Sequence, residues 1–211
     1  MVPDRTPREK RTSERFTDLA ARILATPPRL GSVRLVAVDG PSGAGKTRFA
    51  QRLAGALDAP VVHTDDLLDG WADQFAFWDR LERLVLAPLR AGRPATYECY
   101  QWDRGAFGGP PVTVEPSPAV LLEGVSSARA AVRSRLSLAV FVTAPDRLRW
   151  ARVLDRDGDD VAFRSYLEQW RAAERRHFAA ETTAACADVV VDGAAEGTDV
   201  EFHQVWRPAP D

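Results

Sequence analysis

A glycine-rich segment with a single lysine is the part of the sequence best suited to chemistry. Residues 40–47 read GPSGAGKT, which matches the pattern GxxxxGK[ST]. Glycines let successive backbone N–H groups point at a phosphate, and the start of a helix adds its positive dipole end. The lysine can reach the outer phosphates, and the threonine hydroxyl can ligate Mg²⁺. The segment therefore predicts a nucleoside triphosphate site formed by Gly40, Ser42, Gly43, Ala44, Gly45, Lys46 and Thr47.

Two features outside the motif support this prediction. The chain has 28 basic residues, of which only Lys10 and Lys46 are lysine. The motif also follows an apolar, β-branched segment at 33–38 and precedes a helical repeat of apolar residues at 49–57. Strand, loop and helix in that order are the context that phosphate binding by this motif requires.

The elements that must position this loop alternate between strands and helices. Such alternation predicts a three-layer α/β domain with a mainly parallel sheet. Residues 1–14 are polar and are predicted to be flexible, and residues 15–211 are predicted to form one domain. Residues 92–118 are rich in Gly, Pro and aromatic residues, which is typical of an ordered functional loop with a short hairpin. Five strands are predicted, at 33–38, 60–62, 119–122, 136–142 and 188–191.

Composition excludes several classes of protein. Of 211 residues, 45% are hydrophobic and 27% charged, which argues against disorder and fibrous repeats. A net charge of −2 predicts no nucleic-acid partner. The apolar runs are too short to cross a membrane, and the charged N-terminus does not have the pattern of a secretory signal. Cys99 and Cys186 form no metal-binding pattern. We therefore expect a cytoplasmic protein with reduced thiols.

Charged residues follow the predicted strands in a definite order. Asp65-Asp66 come after the second strand, Glu123-Gly124 after the third, and Arg152 and Arg156 after Thr143-Ala144-Pro145. Together with the glycine-rich motif, this order resembles the uridine kinase-like P-loop kinases, which include uridine–cytidine kinases, nicotinamide riboside kinase, phosphoribulokinase and pantothenate kinase. The resemblance spans residues 33–193. It implies a P-loop kinase fold with a five-stranded sheet, a helical lid at about residues 147–160, and the use of ATP and Mg²⁺.

The resemblance also implies roles for individual residues. Asp65 would be the catalytic base, with Asp66 as the alternative, and Glu123 would lie near the metal together with Thr47. Arg152 and Arg156 would close over the triphosphate in the transition state. Considered by themselves, the carboxylates could instead cap the following turns, and the arginines could form a solvated helix face.

The segment from Tyr97 to Arg104 occupies the place where the resembled nucleoside kinases bind the sugar of the acceptor. Those kinases have a tyrosine–aspartate–aromatic motif, whereas this chain has Gln101 in the middle position. Either Asp103 has taken over the aspartate's role, or the acceptor is not an ordinary ribonucleoside. The expected substrate-binding residues are Asp65, Asp66, Tyr100, Gln101, Trp102, Asp103 and Arg104.

The expected function is ATP-dependent transfer of the γ-phosphate to a hydroxyl of a small molecule, in particular a nucleoside or nucleoside-like acceptor. One alternative is a kinase for a sugar, vitamin or antibiotic, and another is a regulatory protein that binds nucleotide without catalysis. A GTPase switch is disfavoured because neither Lys10 nor Lys46 belongs to an Asn-Lys-x-Asp sequence. The chain is expected to act as a monomer or a homo-oligomer.

Overall fold

A seven-stranded sheet forms the centre of the molecule, with a separate two-stranded hairpin beside it. The computed structural model describes residues 11–195 and 198–205. In chain order the strands are β1 (Arg11–Arg15), β2 (Arg34–Asp39), β3 (Val61–His63), β4 (Ala95–Gln101), β5 (Ala106–Val114), β6 (Ala119–Glu123), β7 (Leu136–Thr143), β8 (Val189–Asp192) and β9 (Glu201–Val205).

The sheet has the order β1-β9-β8-β7-β2-β6-β3. The five strands predicted from the sequence are all present, and they pair in parallel as β8, β7, β2, β6 and β3. The prediction of five strands is nevertheless too low, because β9 and β1 extend the sheet through antiparallel pairing. β1 is the edge strand and β9 lies next to it; both are largely polar, and hydrogen bonding to the neighbour replaces the apolar run that identifies a buried strand. Residues 11–14, predicted to be flexible, therefore belong to a strand; residues 1–10 lie outside the described part.

Helices cover both faces of this sheet. A continuous helical segment from residue 78 to residue 90 contains a π-helical stretch at Glu82–Leu86, and 3₁₀ turns occupy Thr64–Leu67 and Trp71–Asp73. None of the helices in the described residues is both long and apolar enough to cross a membrane. The α-helices are α1 (Phe16–Ala25), α2 (Lys46–Leu57), α3 (Trp78–Leu81), α4 (Ala87–Arg90), α5 (Ala130–Arg133), α6 (Asp146–Asp157), α7 (Val161–Glu181) and α8 (Thr183–Cys186).

A hydrophobic cluster lies on each face of the sheet and joins it to helices on that face, so that helices, sheet and helices form three layers. Alternate residues of β2 enter different clusters, because successive side chains of a strand point to opposite faces. α1 and α2 cover one face through residues such as Phe16 and Leu53. The segment 78–90, α5 and α7 cover the other face. The three-layer α/β architecture predicted from the sequence is confirmed.

The irregular stretch at 92–118 is a long antiparallel hairpin rather than a loop. β4 and β5 pair from Ala95–Val114 to Gln101–Ala106, with a register shift between Tyr97 and Cys99. The base of the hairpin packs against the core through Tyr97, which is 3% exposed. Its tip is the turn at residues 102–105. The sequence therefore predicted a hairpin here but underestimated its length.

A buried carboxylate fixes two loops at the carboxyl edge of the sheet. Asp39, at the end of β2, is fully buried, and its two oxygens accept hydrogen bonds from the backbone N–H groups of Gly40 (2.7 Å), Ser126 (3.0 Å) and Ala128 (2.9 Å). Burial raises the pKa of this carboxyl to about 6, although the three hydrogen bonds and Lys46 oppose the shift. Asp39 thus joins the glycine-rich motif to the loop that follows Glu123.

Replacing Asp39 by alanine should lower the free energy of unfolding by about 3 kcal/mol, since three buried N–H groups lose their acceptor and each unpaired group costs about 1–3 kcal/mol, partly offset by relief from burying the carboxylate. Urea unfolding followed by circular dichroism measures the change. Asp18→Ala, at an exposed position of α1, is the control and should change stability by less than about 0.5 kcal/mol. A loss for Asp39→Ala no larger than that of the control would contradict this role.

Candidate active site

The parallel strands β2, β6 and β3 bring the predicted site residues to one edge of the sheet. In this register Glu123 of β6 lies between Val38 of β2 and His63 of β3. The glycine-rich motif begins directly after β2, and Asp65 follows β3 by two residues. Ligands of open α/β sheets bind at the carboxyl ends of such strands. The arrangement therefore places Asp65, the glycine-rich motif and Glu123 around one cleft.

The phosphate loop, residues 40–45, has a backbone that only glycine tolerates at key positions. Gly43 has a φ of 74°, and a Cβ there would lie 2.5 Å from the carbonyl oxygen of Arg149. α2 begins at Lys46, so its N-terminal N–H groups face the cleft. Lys46 is largely buried and donates to the carbonyl of Pro41 at 3.3 Å. These features are those of an anion-binding cradle.

Oxygen ligands suited to Mg²⁺ occur beside the cradle. The Thr47 hydroxyl donates to Oε1 of Glu123 at 3.3 Å, and the other carboxylate oxygen lies 2.6 Å from Nδ1 of His63. This contact with Glu123 raises the pKa of His63 despite its partial burial. Mg²⁺ prefers oxygen and is commonly held by one or two protein groups together with phosphates. The pair Thr47 and Glu123 fits that requirement, and sequence reasoning did not identify the contact with His63.

The two aspartates after β3 point to different surroundings. Asp65 lines a cavity beside the phosphate loop. Part of its side chain is exposed, yet loss of hydration raises its pKa; Lys46 and Arg156 oppose the shift, whereas Glu123 and Asp66 reinforce it. Asp66 instead interacts with the Cys99 thiol of the hairpin and with His63. Of the two, Asp65 therefore has the geometry expected of a base.

We call the cavity that Asp65 lines, beside the phosphate loop, the aromatic cavity. It has a volume of about 430 Å³, which falls within the range of small-molecule sites. It connects the phosphate loop with the hairpin tip and with α6 and α7. Its walls consist of Ser42, Asp65, Leu68, Trp71, Trp102, Val153, Arg156, Asp157, Phe163, Leu167 and Trp170.

Of the predicted acceptor residues in the hairpin, Trp102 is the one that lines the aromatic cavity in the described structure. The Gln101 amide donates to the Gly108 carbonyl at 3.3 Å, and its oxygen accepts from Arg104 at 3.1 Å, so both are engaged within the hairpin. Tyr100 packs edge-on against Trp102, and Asp103 is exposed in the turn. Trp71, which sequence reasoning did not identify, lies 4.5 Å from Trp102 between ring centroids.

The two arginines predicted for the lid have different environments. Arg152 donates to the carbonyls of Gly43 (3.1 Å) and Gly193 (3.0 Å). Arg156 lines the aromatic cavity and binds both oxygens of Asp157, at 2.7 and 2.6 Å. α6 is therefore attached to the phosphate loop at Arg152. A mobile lid at 147–160 remains a prediction, and these contacts favour motion of the part after Arg152.

A second, smaller cavity of about 220 Å³ lies on the other side of the phosphate loop. Gly45, Arg48 and Arg152 line it together with the segment after β8, which includes Gly193. The space opens from the start of α2. It is therefore in a position to receive the part of a nucleotide that extends beyond its phosphates.

A buried ion pair holds the phosphate loop from outside. Glu174 of α7 is 1% exposed and accepts hydrogen bonds from the Ser42 hydroxyl, the Ser42 N–H (2.9 Å) and the Trp170 indole (3.0 Å). Arg149 of α6 donates to the Ser42 carbonyl at 3.3 Å and lies 3.9 Å from the Glu174 carboxylate. Trp170 and Glu174 lie one helical turn apart, a spacing that permits their contact, but nothing in the sequence indicates Ser42 as the partner.

Glu174→Gln should lower the free energy of unfolding by about 2 kcal/mol. The buried Arg149 guanidinium loses a nearby negative charge, and the NH₂ group of the glutamine side chain, which cannot accept a hydrogen bond, replaces one carboxylate oxygen among N–H and O–H donors. Chemical denaturation tests this. Glu168→Gln, at an exposed position of the same helix, is the matched control. Equal stabilities of the two variants would show that Glu174 does not hold the loop.

Comparisons with known proteins agree with this fold. A protein from Bacillus stearothermophilus, provisionally described as a uridine kinase, has a TM-score of 0.60 and 22% identity, covering 83% of this chain and 96% of that one. A protein from Silicibacter sp. TM1040, provisionally described as a fructose transport system kinase, has a TM-score of 0.54 and 19% identity, covering 82% and 94%. The fold is that of a P-loop kinase.

One known protein is also similar to this chain in sequence. Uridine-cytidine kinase C of Dictyostelium discoideum is 28% identical in an alignment 123 positions long, which covers 54% of this chain. The match spans 27% of that relative's length, or about a quarter. No known family model matches the chain. Together with the fold, the sequence match confirms the resemblance to the uridine kinase-like P-loop kinases.

Proposed function

We propose that the protein transfers the γ-phosphate of ATP to a hydroxyl group of a small molecule. The observation that carries this proposal is the common position of Lys46, Asp65 and the Thr47–Glu123 pair at one edge of the sheet, beside the aromatic cavity. A protein that only binds nucleotide would have no need of a carboxylate such as Asp65 between the phosphate loop and the aromatic cavity. We further infer a cytoplasmic location, where ATP is available.

In the proposed reaction the phosphate loop and the start of α2 hold the outer phosphates, and the remainder of ATP extends toward the smaller cavity. The acceptor occupies the aromatic cavity. Its hydroxyl gives its proton to Asp65 while its oxygen attacks the γ-phosphorus, and the bond to the β-phosphate oxygen breaks to release ADP. Lys46 and Arg156 stabilise the charge that develops on the transferred group.

Thr47 and Glu123 would hold Mg²⁺. When bound, Mg²⁺ neutralises part of the phosphate charge and orients the outer phosphates. The contact of His63 with the second carboxylate oxygen keeps Glu123 directed toward Thr47. The acceptor that we propose is a nucleoside or a nucleoside-like molecule, on the basis of the resemblance. A non-nucleoside acceptor is the second candidate, favoured by the engagement of Gln101 within the hairpin.

Lys46→Ala should reduce the rate of transfer by at least about 100-fold, equivalent to about 3 kcal/mol, because it removes a preorganised charge from the outer phosphates. ADP release with a panel of nucleosides, sugars and vitamins is the measurement. Arg29→Ala, at an exposed position that lines neither the aromatic cavity nor the smaller cavity, is a control for the removal of a cation without loss of the motif lysine. A folded Lys46→Ala variant with turnover close to normal would contradict the proposed function.

Asp65→Asn should lower the rate by about 10²–10⁴-fold while leaving ATP affinity unchanged, since it keeps the shape of the side chain and removes its basicity. Asp66→Asn is the matched control and should retain most activity. Because the pKa of Asp65 is raised and the base acts when deprotonated, the wild-type rate should increase as the pH rises through that pKa. The opposite ranking of the two variants would assign the base to Asp66.

A further inference from the structure

One side chain, Trp170 of α7, reaches both the aromatic cavity and the phosphate loop. Its ring lines the aromatic cavity and packs edge-on against Trp71, at 5.6 Å between ring centroids. Its indole N–H donates to two acceptors, the Ser42 hydroxyl oxygen and Oε1 of Glu174, each at 3.0 Å. Trp170 is therefore part of the wall of one site and a support of the loop that forms the other.

The indole N–H belongs to a small buried network around one carboxylate oxygen. Oε1 of Glu174 accepts from the Ser42 N–H at 2.9 Å, from the Ser42 hydroxyl and from the Trp170 indole. Glu174 is 1% exposed, and a buried carboxylate depends on such donors because removing one leaves part of its charge unpaired. The positions of Glu174 and Ser42 therefore depend on the N–H of Trp170.

The peptide group between Pro41 and Ser42 defines an inner and an outer side of the phosphate loop. The Pro41 carbonyl accepts from the Lys46 ammonium at 3.3 Å, whereas the Ser42 N–H of the same peptide group donates to Glu174. In a planar trans peptide the C=O and the N–H point in opposite directions. Lys46 therefore marks the inner side, where phosphates would bind, and Glu174 marks the outer side.

The next peptide group, between Ser42 and Gly43, has the reverse orientation. Its carbonyl, that of Ser42, accepts from Arg149 at 3.3 Å. Arg149 lies on the outer side, 3.9 Å from the Glu174 carboxylate. The N–H of this peptide group, that of Gly43, therefore points to the inner side. The contacts that hold Ser42 from outside thus direct one backbone donor toward the phosphates.

Ser42 lies at the end of the phosphate loop that is nearer to the acceptor. It lines the aromatic cavity together with Asp65, whereas Gly45 lines the smaller cavity, toward which the rest of ATP extends in the proposed reaction. The γ-phosphate must lie beside the acceptor for transfer to occur, and therefore on the Ser42 side. A donor directed by Ser42 acts on the terminal phosphate more than on the inner ones.

We propose that Trp170 is a positioning residue for the terminal phosphate of the nucleotide. Its N–H holds Glu174 and Ser42, and these in turn direct the Gly43 N–H toward the γ-phosphate. The proposal rests on the function proposed above, which places the γ-phosphate beside the aromatic cavity. Because the ring of the same residue forms part of the acceptor wall, one side chain links the acceptor cavity to the site of the γ-phosphate.

The test compares the binding of a triphosphate and a diphosphate to the full chain by isothermal titration calorimetry with Mg²⁺. AMP-PNP, a non-hydrolysable ATP analogue, carries a terminal phosphate, and ADP lacks it. Trp170→Phe keeps a flat ring in the cavity wall and removes the N–H. We expect this variant to bind AMP-PNP at least about fivefold more weakly, the effect of about one hydrogen bond, and ADP less than about twofold more weakly.

Three results would overturn the proposal. The first is equal weakening of AMP-PNP and ADP binding in Trp170→Phe, since a general loosening of the loop does not distinguish the two nucleotides. The second is unchanged AMP-PNP binding in this variant, and the third is a wild-type chain that does not bind AMP-PNP. Trp150→Phe is the control and should leave both affinities unchanged, because Trp150 packs under Arg171 and lines neither cavity in the described structure.

Ser42→Ala tests the same connection from the loop and carries the test should Trp170→Phe fail to fold. It removes the hydroxyl that accepts from the indole, so it should also weaken AMP-PNP binding more than ADP binding. If Trp170 acts through Ser42, the double variant should bind AMP-PNP less than about twofold more weakly than Trp170→Phe alone, since residues that act together are not additive. Losses that multiply in the double variant, or equal loss of both nucleotides in Ser42→Ala, would contradict the assignment.

Failure of this inference is distinguishable from failure of the proposed function, because binding is measured without phosphate transfer. If an alcohol stimulates Lys46-dependent ADP release and Trp170→Phe binds both nucleotides as the wild type does, the proposed function stands and the role of Trp170 is wrong. If Trp170→Phe loses AMP-PNP binding selectively and no alcohol stimulates ADP release, the role of Trp170 stands and the proposed transfer is wrong.

Discussion

The phosphate loop needs support from outside, and much of the structure around it follows from this need. A loop that offers backbone N–H groups to a ligand cannot pair those groups within itself, so its shape depends on its remaining contacts. Asp39 holds the start of the loop, the Glu174–Arg149 pair holds Ser42, and Arg152 holds the Gly43 carbonyl. These charged groups come from β2, α6 and α7. Two of these elements, α6 and α7, also line the aromatic cavity, so the phosphate loop and the cavity are structurally coupled.

This coupling changes the interpretation of the helix that follows β7. Its arginines resemble those of a lid, yet Arg149 and Arg152 bind main-chain carbonyls that are already present without nucleotide. Arg156 lies further along the helix, beyond these attachments, and lines the aromatic cavity with Asp157. Closure, where it occurs, would act through this end of the helix. A single helix can therefore combine a fixed supporting part with a part that responds to ligands.

The hairpin has a similar division along its length. Its base is part of the core through Tyr97, and its tip supplies Trp102 to the aromatic cavity. Between them, Gln101 is bound by partners within the hairpin, so that the residue which departs from the family motif faces the hairpin's own backbone. Gln101 therefore does not line the aromatic cavity, whereas Trp102 at the tip does.

The sequence by itself determined the phosphate loop, the five parallel strands and the place of Asp65 and Glu123, because these depend on local spacing: glycines that permit the loop, apolar runs that form buried strands, and polar residues where the strands end. The two antiparallel strands at one end of the sheet were not predictable, because β1 and β9 are largely polar and pair with each other across nearly two hundred positions of sequence. The tertiary structure alone decided which side chains meet. It brought Glu174 to Ser42 and Trp71 to Trp102, contacts between distant segments that no periodicity records. It also separated Asp65 from Asp66, since adjacent residues in a tight turn point in different directions.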